Sequence, residues 1–373
     1  MESVGGLMFH DIYRDKKVLV TGHTGFKGTW LTAWLLKMGA NVVGISKEIP
    51  TSPSMFEELA LGEKITDYRE DIRDLSKMEE IIAAEKPDFL FHLAAQPIVS
   101  TSYSDPIETI SSNVMGTANI LHALKESNHT CTAVIITSDK AYDNVEQVWG
   151  YKEDDKMGGK DIYSGSKGAA ELIIKSYYHS FFKEPSCNVK LAVARAGNVI
   201  GGGDWAKDRI VVDCMLAWSK GEKVEIRSPN ATRPWQHVLE PLSGYLDLGK
   251  ALHEDESLHG EAFNFGPKAE QNHTVEQLLI DLSKYWHFDD PKDAYEVTGN
   301  IPFHEAGLLK LNCDKALFYL KWQANLEYQD TIRFTSEWYY DFYKSDKDIY
   351  TKTMDQIQEY EDIAKAKELV WTK

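Results

Sequence analysis

The sequence predicts an α/β fold, a doubly wound parallel sheet joined to a smaller, mixed α/β lobe. Three observations point there. From Lys17 to Arg195, short apolar strand patterns alternate with helical patterns. A glycine-rich turn holding Gly22, Gly25 and Gly28 joins the first strand to the first helix. After Arg195 the alternation breaks into glycine- and proline-rich loops at 197–205 and 229–235.

Taken in order, 17–21 reads as a short buried strand. The spacing of Trp30, Leu31, Trp34, Leu35 and Met38 then places a helix, which Gly39 ends. A strand at 41–45 follows. The alternation continues with a strand at 65–68, a helix at 75–85, a strand at 89–93 and a helix at 107–126. A strand at 132–137, a helix at 163–182 and a strand at 190–195 complete it. Such a series requires crossovers, and these are right-handed. Beyond it, 242–252 and 275–286 read as helices and 262–265 as a strand. The aromatic, acidic tail from Asn325, including 356–366, has helical spacing suited to packing or subunit contact.

The chain has 373 residues, long enough for one large domain or two closely joined ones. Lys and Arg number 41 against 58 Asp and Glu, a net charge of −17, which argues against a general nucleic-acid or anionic-membrane binder. Cys131, Cys187, Cys214 and Cys313 lie far apart without metal-ligand spacing, so no metal is expected. Residues 1–17 are polar, unlike a signal peptide, and no apolar run approaches the roughly 18 residues that span a bilayer. A cytoplasmic protein is expected.

The turn after the first strand reads Gly22-His23-Thr24-Gly25-Phe26-Lys27-Gly28. Gly22 permits the tight turn, Gly25 lets backbone approach a pyrophosphate, and Gly28 lets helix and strand pack closely. This predicts a Rossmann-type dinucleotide-binding domain over 1–195, with 236–265 packing onto it. A substrate-binding lobe is expected from 196–235 and 266–330, and a helical tail from 331–373. Ser46 closes the second strand where an acid usually meets the adenosine ribose, and Lys47 beside it could pair with a 2′-phosphate, so NAD and NADP both stay open. Asp71 and Ile72 follow the third strand, Asp71 within reach of an adenine amine or as a helix cap. Leu93, Ala94, Ala95 and Gln96 close the fourth, small enough for the dinucleotide to lie over them. Asn113 in the next helix is a further cofactor-side candidate, with a structural role open beside it.

Tyr163 and Lys167 stand four apart on a helix and so share a face, where the ammonium can lower the phenol's pKa for acid/base work at a carbinol. Ser138, at the end of the fifth strand, can hold the substrate hydroxyl, and Asp139 and Lys140 follow it as a second acid/base set. Lys207, Arg209, Arg227 and Arg233 in the second lobe, with His237, Asn198 and Trp205, are candidates to grip a diphosphate and sugar.

These residues resemble the extended short-chain dehydrogenase/reductase family, over 18–322. Within it the chain is most similar to the CDP-glucose 4,6-dehydratases, through GHTGFKGTWLTAWL, FHLAAQP, NVMGT, TSDKAYDN, ARAGNVIGGGDW and RPWQHVLE. The resemblance implies bound NAD, a nucleotide-diphosphate hexose substrate and a homo-oligomer, dimer or tetramer. It also implies a cycle of C4 oxidation, loss of water across C5 and C6, and hydride return to C6. In that cycle Tyr163 starts the oxidation, Asp139 is the acid toward the C6 oxygen, and Lys140 stands where related dehydratases carry a glutamate base. A dehydratase for a GDP- or dTDP-linked sugar, or a 4-epimerase, is the alternative; an epimerase has no need of Asp139 and Lys140. Ser100 departs from the family, standing where an arginine is expected.

Overall fold

A computed structural model describes residues 8–268, 270–288, 290–298 and 308–373. The start of the polar N-terminal stretch and parts of the segment 266–330 lie outside the described residues. The chain runs β1 (Lys17–Thr21), α1 (Phe26–Lys37), β2 (Asn41–Ile45), β3 (Thr66–Tyr68), α2 (Leu75–Glu85) and β4 (Phe89–His92). It continues through α3 (Gly116–Glu126), β5 (Cys131–Ile136), α4 (Ile162–Tyr177), β6 (Val189–Ala196) and α5 (Ile210–Ser219). α6 (Leu239–Glu254), β7 (Ala262–Phe265), α7 (Val275–Ser283), α8 (Tyr328–Lys344) and α9 (Ile349–Ala366) complete it.

Among the described residues seven strands form one sheet in the order β7-β6-β5-β4-β1-β2-β3. Each neighbouring pair is parallel. Successive strand side chains point to opposite faces, so each strand feeds two cores. In β1, Val18 and Val20 join the core that holds α1, α6 and the tail. Leu19 joins the opposite core, with Ile120 and Leu124 of α3 and Ile174 of α4. The strand order turns between β1 and β4, which opens a crevice at the carboxyl ends of those strands.

Two details differ from the sequence pattern. The helix expected at 107–126 is broken: an α-turn at Pro106–Ile110 gives way to a π-turn at Ser111–Met115 before α3. A short helix at Val99–Ser104, not foreseen, precedes it. The tail is a packing element, since Trp338, Tyr339, Ile357 and Tyr360 are fully buried. Trp371, near its end, stacks on both Phe9 and Tyr360. Small two-stranded pieces, such as Val224–Ile226 beside Tyr295–Val297, stand apart from the seven-stranded sheet.

Candidate active site

A cleft of about 1040 Å³ lies over the carboxyl ends of β1, β2, β4 and β5. Its floor is the glycine turn. Gly22 has φ 77°, and a Cβ there would lie 2.7 Å from the Ala94 nitrogen; one at Gly28 would lie 2.0 Å from the Gly22 carbonyl oxygen. Only glycine lets β1, α1 and β4 meet this closely. The result is a backbone cradle at the start of α1, whose first N–H groups lack helical partners. Gly22, Thr24, Gly25, Phe26, Lys27, Gly28, Ser46, Asp71, Ile72 and Leu93 to Gln96 all line the same cleft. The residues present therefore fit a dinucleotide.

Asn113 does not line the cleft. The π-turn sets it behind β4, where its amide accepts from the Gln96 N–H (2.8 Å) and donates to the Gln96 carbonyl (3.2 Å) and the Ser166 hydroxyl (2.9 Å). Its bonds are spent joining the end of β4 to α4, so it positions the site rather than touching a ligand.

Ser138, Asp139, Lys140, Tyr163 and Lys167 converge on one wall of the cleft. β5 delivers Ser138, which caps the short turn Asp139–Ala141 by accepting from the Lys140 N–H. Its hydroxyl donates to the Asp139 carboxylate at 3.0 Å. α4 begins at Asp161, whose side chain accepts from the Ser164 N–H at 2.9 Å and so fixes the turn that carries Tyr163. The Lys167 Nζ lies 5.9 Å from the centre of the Tyr163 ring.

The electrostatics correct one expectation. The Tyr163 phenol is pushed up to about 12, first by burial and then by the Asp139 charge, with Ser138 and Arg209 pulling the other way. Burial thus outweighs any lowering by Lys167, whose own pKa burial drives down to about 8. Asp139 is raised by burial, against the pull of Lys140, Ser138 and Lys27. Lys140 is half-buried on the cleft wall. Lys27, half-buried on the floor of the cleft, is lowered to about 8 by burial and by Arg209.

Of the second-lobe candidates, Asn198, Lys207, Arg209, Arg227 and Arg233 reach the cleft, Arg209 paired with Asp204. Trp205 and His237 do not. Trp205 is core: its Nε1–H donates to the Tyr343 hydroxyl at 2.8 Å, and its ring packs on Trp338, Tyr339 and Phe342. His237 is fully buried between Trp30 and Phe334, and burial lowers it to about 3. Ser100 reaches across the cleft mouth, its hydroxyl donating to Asp208.

The sequence reading missed the support beneath this wall. Glu171, one turn past Lys167, pairs with Arg195 of β6 at 2.8 and 3.1 Å, and both are buried. Thr137 donates to the same carboxylate, and Arg195 also donates to the Tyr142 hydroxyl at 2.7 Å. The signal was present: Tyr163, Lys167 and Glu171 recur every four residues and share a helix face.

A family profile described as GDP-mannose 4,6 dehydratase matches residues 19–335. The chain is 45% identical, over 332 residues, to the CDP-glucose 4,6-dehydratase of Salmonella typhimurium, covering 88% of this chain and 92% of that one. Two solved structures share the fold. One is the UDP-glucose 4-epimerase of Thermotoga maritima with UDP-glucose (TM-score 0.75, 21% identity, 87% of this chain and 99% of that one). The other is the dTDP-glucose 4,6-dehydratase of Streptomyces venezuelae with NAD and TYD bound (TM-score 0.74, 18% identity, 87% and 97%).

Proposed function

The chain belongs to the GDP-mannose 4,6-dehydratase family, and from that premise we propose that it converts CDP-glucose to CDP-4-keto-6-deoxyglucose and water. The observation that carries this reading is the meeting of two acid/base sets, Tyr163 with Lys167 and Asp139 with Lys140, on one wall of one cleft. The 45% identity to a CDP-glucose 4,6-dehydratase supports the base and the sugar.

NAD is the cofactor in this reading, held by the cradle of Gly22 to Gly28 and by the ends of β2 to β4. When bound it supplies a hydride acceptor at the start of the cycle and a hydride donor at its end. The protein's residues do the rest. Ser138 and Tyr163 hold the C4 hydroxyl, and Tyr163, as its phenolate, takes the proton as the C4–H bond is broken. The C4 ketone acidifies the C5 hydrogen, which Lys140 removes. Asp139, whose carboxyl burial pushes up, gives a proton to the C6 hydroxyl in the bound complex, and that hydroxyl leaves as water. Lys140 then returns a proton to C5. Arg209, Arg227 and Arg233 are assigned to the diphosphate, where planar guanidinium groups suit paired oxygens.

Among the described residues no helix is long and apolar enough to cross a membrane. Cytoplasmic action and a homo-oligomer complete the reading. Ile107, Met115 and Leu172, exposed on the helices flanking the sheet, support the second.

Incubation with CDP-, dTDP-, GDP- and UDP-glucose, followed by mass spectrometry, tests the function. A product lighter by one water is expected from CDP-glucose with no net consumption of NAD. Absence of dehydration from every sugar nucleotide overturns the assignment.

A further inference from the structure

His23, the second residue of the glycine turn, has no exposed surface. Gly44 of β2 makes room for it, since a Cβ there would lie 2.5 Å from the imidazole. Its Nε2 lies 2.9 Å from the Asp67 carboxylate of β3, and its Nδ1 lies 3.0 Å from the Ser46 hydroxyl at the end of β2. Burial lowers the imidazole's pKa against the pull of Asp67, which favours the neutral ring with one proton. A carboxylate only accepts, which places that proton on Nε2. Nδ1 is then an acceptor, and the Ser46 hydroxyl must spend its hydrogen on it. The Thr24 N–H is aimed at the same oxygen at 3.4 Å. Ser46 thus presents an oxygen that can accept but not donate, on the wall of the cleft beside Lys47 and Glu48.

We propose that the relay Asp67–His23–Ser46 replaces the missing ribose-binding acid of β2 and selects a dinucleotide with a free 2′-hydroxyl over one with a 2′-phosphate. It rests on the cofactor reading above. A 2′-hydroxyl donates to the Ser46 oxygen. A 2′-phosphate is acceptor-only and needs a cation, and the cations near this corner are engaged with carboxylates. Lys47 faces Glu108 at 3.6 Å, Arg73 bonds Asp71 and Glu108, and Arg69 bonds Asp67 at 2.7 Å. The opening that Lys47 left for NADP is thereby closed.

The test is direct binding of NADH, 2′-deoxy-NADH and NADPH to the full chain freed of nucleotide, followed by tryptophan quenching and calorimetry. The wild type should bind NADH about tenfold more tightly than the 2′-deoxy form, the worth of one hydrogen bond, and NADPH more weakly still. In Ser46→Ala the gap between NADH and its 2′-deoxy form should vanish, because only a direct contact couples the two deletions. Asp67→Ala, checked for folding by circular dichroism, should narrow the same gap. Equal wild-type affinity for NADH and NADPH, or a gap that survives Ser46→Ala, overturns the relay. Binding of no dinucleotide overturns the cofactor reading beneath it.

Discussion

In the proposed cycle, Tyr163, Lys167, Asp139 and Lys140 divide the chemistry by what surrounds each of them. The phenol at about 12 is neutral in the free protein, and Lys167 at about 8 is mostly charged at pH 7. Because the phenol must act as a base, kcat/KM for CDP-glucose should climb with pH and bend near pH 8, where Lys167 loses its proton. Lys167→Arg does not titrate there, so its profile should lack that bend. Tyr163→Phe should reduce turnover by roughly 10²–10⁴-fold, the usual worth of a positioned acid/base group. Lys140→Met should stop exchange of the C5 hydrogen with solvent while NADH still forms in a single turnover; exchange at the wild-type rate would remove Lys140 as the base. These residues were legible because a spacing of four on a helix and a strand-end triplet are local patterns. Trp205 and His237 were misread, and the two roles left open for Asn113 were undecided, because nothing local says which side of a chain faces the core.

The supporting elements carry the next level. The π-turn at Ser111–Met115 rotates Asn113 away from the cleft and toward Gln96 and Ser166, so one amide ties β4 to the catalytic helix α4. The Glu171–Arg195 pair does the same between α4 and β6. Removing one partner of such a buried pair leaves a bare charge, so Arg195→Met should cost about 3–5 kcal/mol in denaturant unfolding. Adding Glu171→Leu should restore most of that loss, because the stranded carboxylate is gone; no recovery would show that Arg195 matters for packing alone. Gly28→Ala should prevent correct assembly of the turn, since its methyl would overlap the Gly22 carbonyl. The helix and strand periods predicted these elements well. The π-turn was invisible, because Asn113 in it is held by Gln96 and Ser166, partners on other elements that no local pattern shows.

Across the whole molecule, the tail is bound to the sheet domain through Glu240 of α6. Its buried carboxylate accepts from the N–H groups of Asn325 and Leu326 and from the Tyr360 hydroxyl of α9. Burial raises it from an ordinary 4.5 to about 7. Between those values the folded protein keeps a proton that the unfolded chain has lost, so Glu240 makes stability fall as pH rises through that window. The fall in unfolding midpoint from pH 5 to pH 8 should therefore be smaller in Glu240→Gln than in the wild type. An equal fall in both would mean that Glu240 does not titrate there.

The order of strands and helices, the glycine turn and the candidate acid/base residues that meet in the cleft were legible in the sequence alone, because periodicity and short-range spacing encode them. Only the tertiary structure decided which buried polar groups meet. Glu171 finds Arg195, Glu240 finds Tyr360, and Asp67 finds Ser46 through His23, each across different elements. Such pairings depend on which strands lie side by side and on how deeply each group is withdrawn from water. Burial also pushes the Asp139 carboxyl and the Tyr163 phenol above their ordinary values. Desolvation belongs to the folded assembly, and no single segment of the chain carries it.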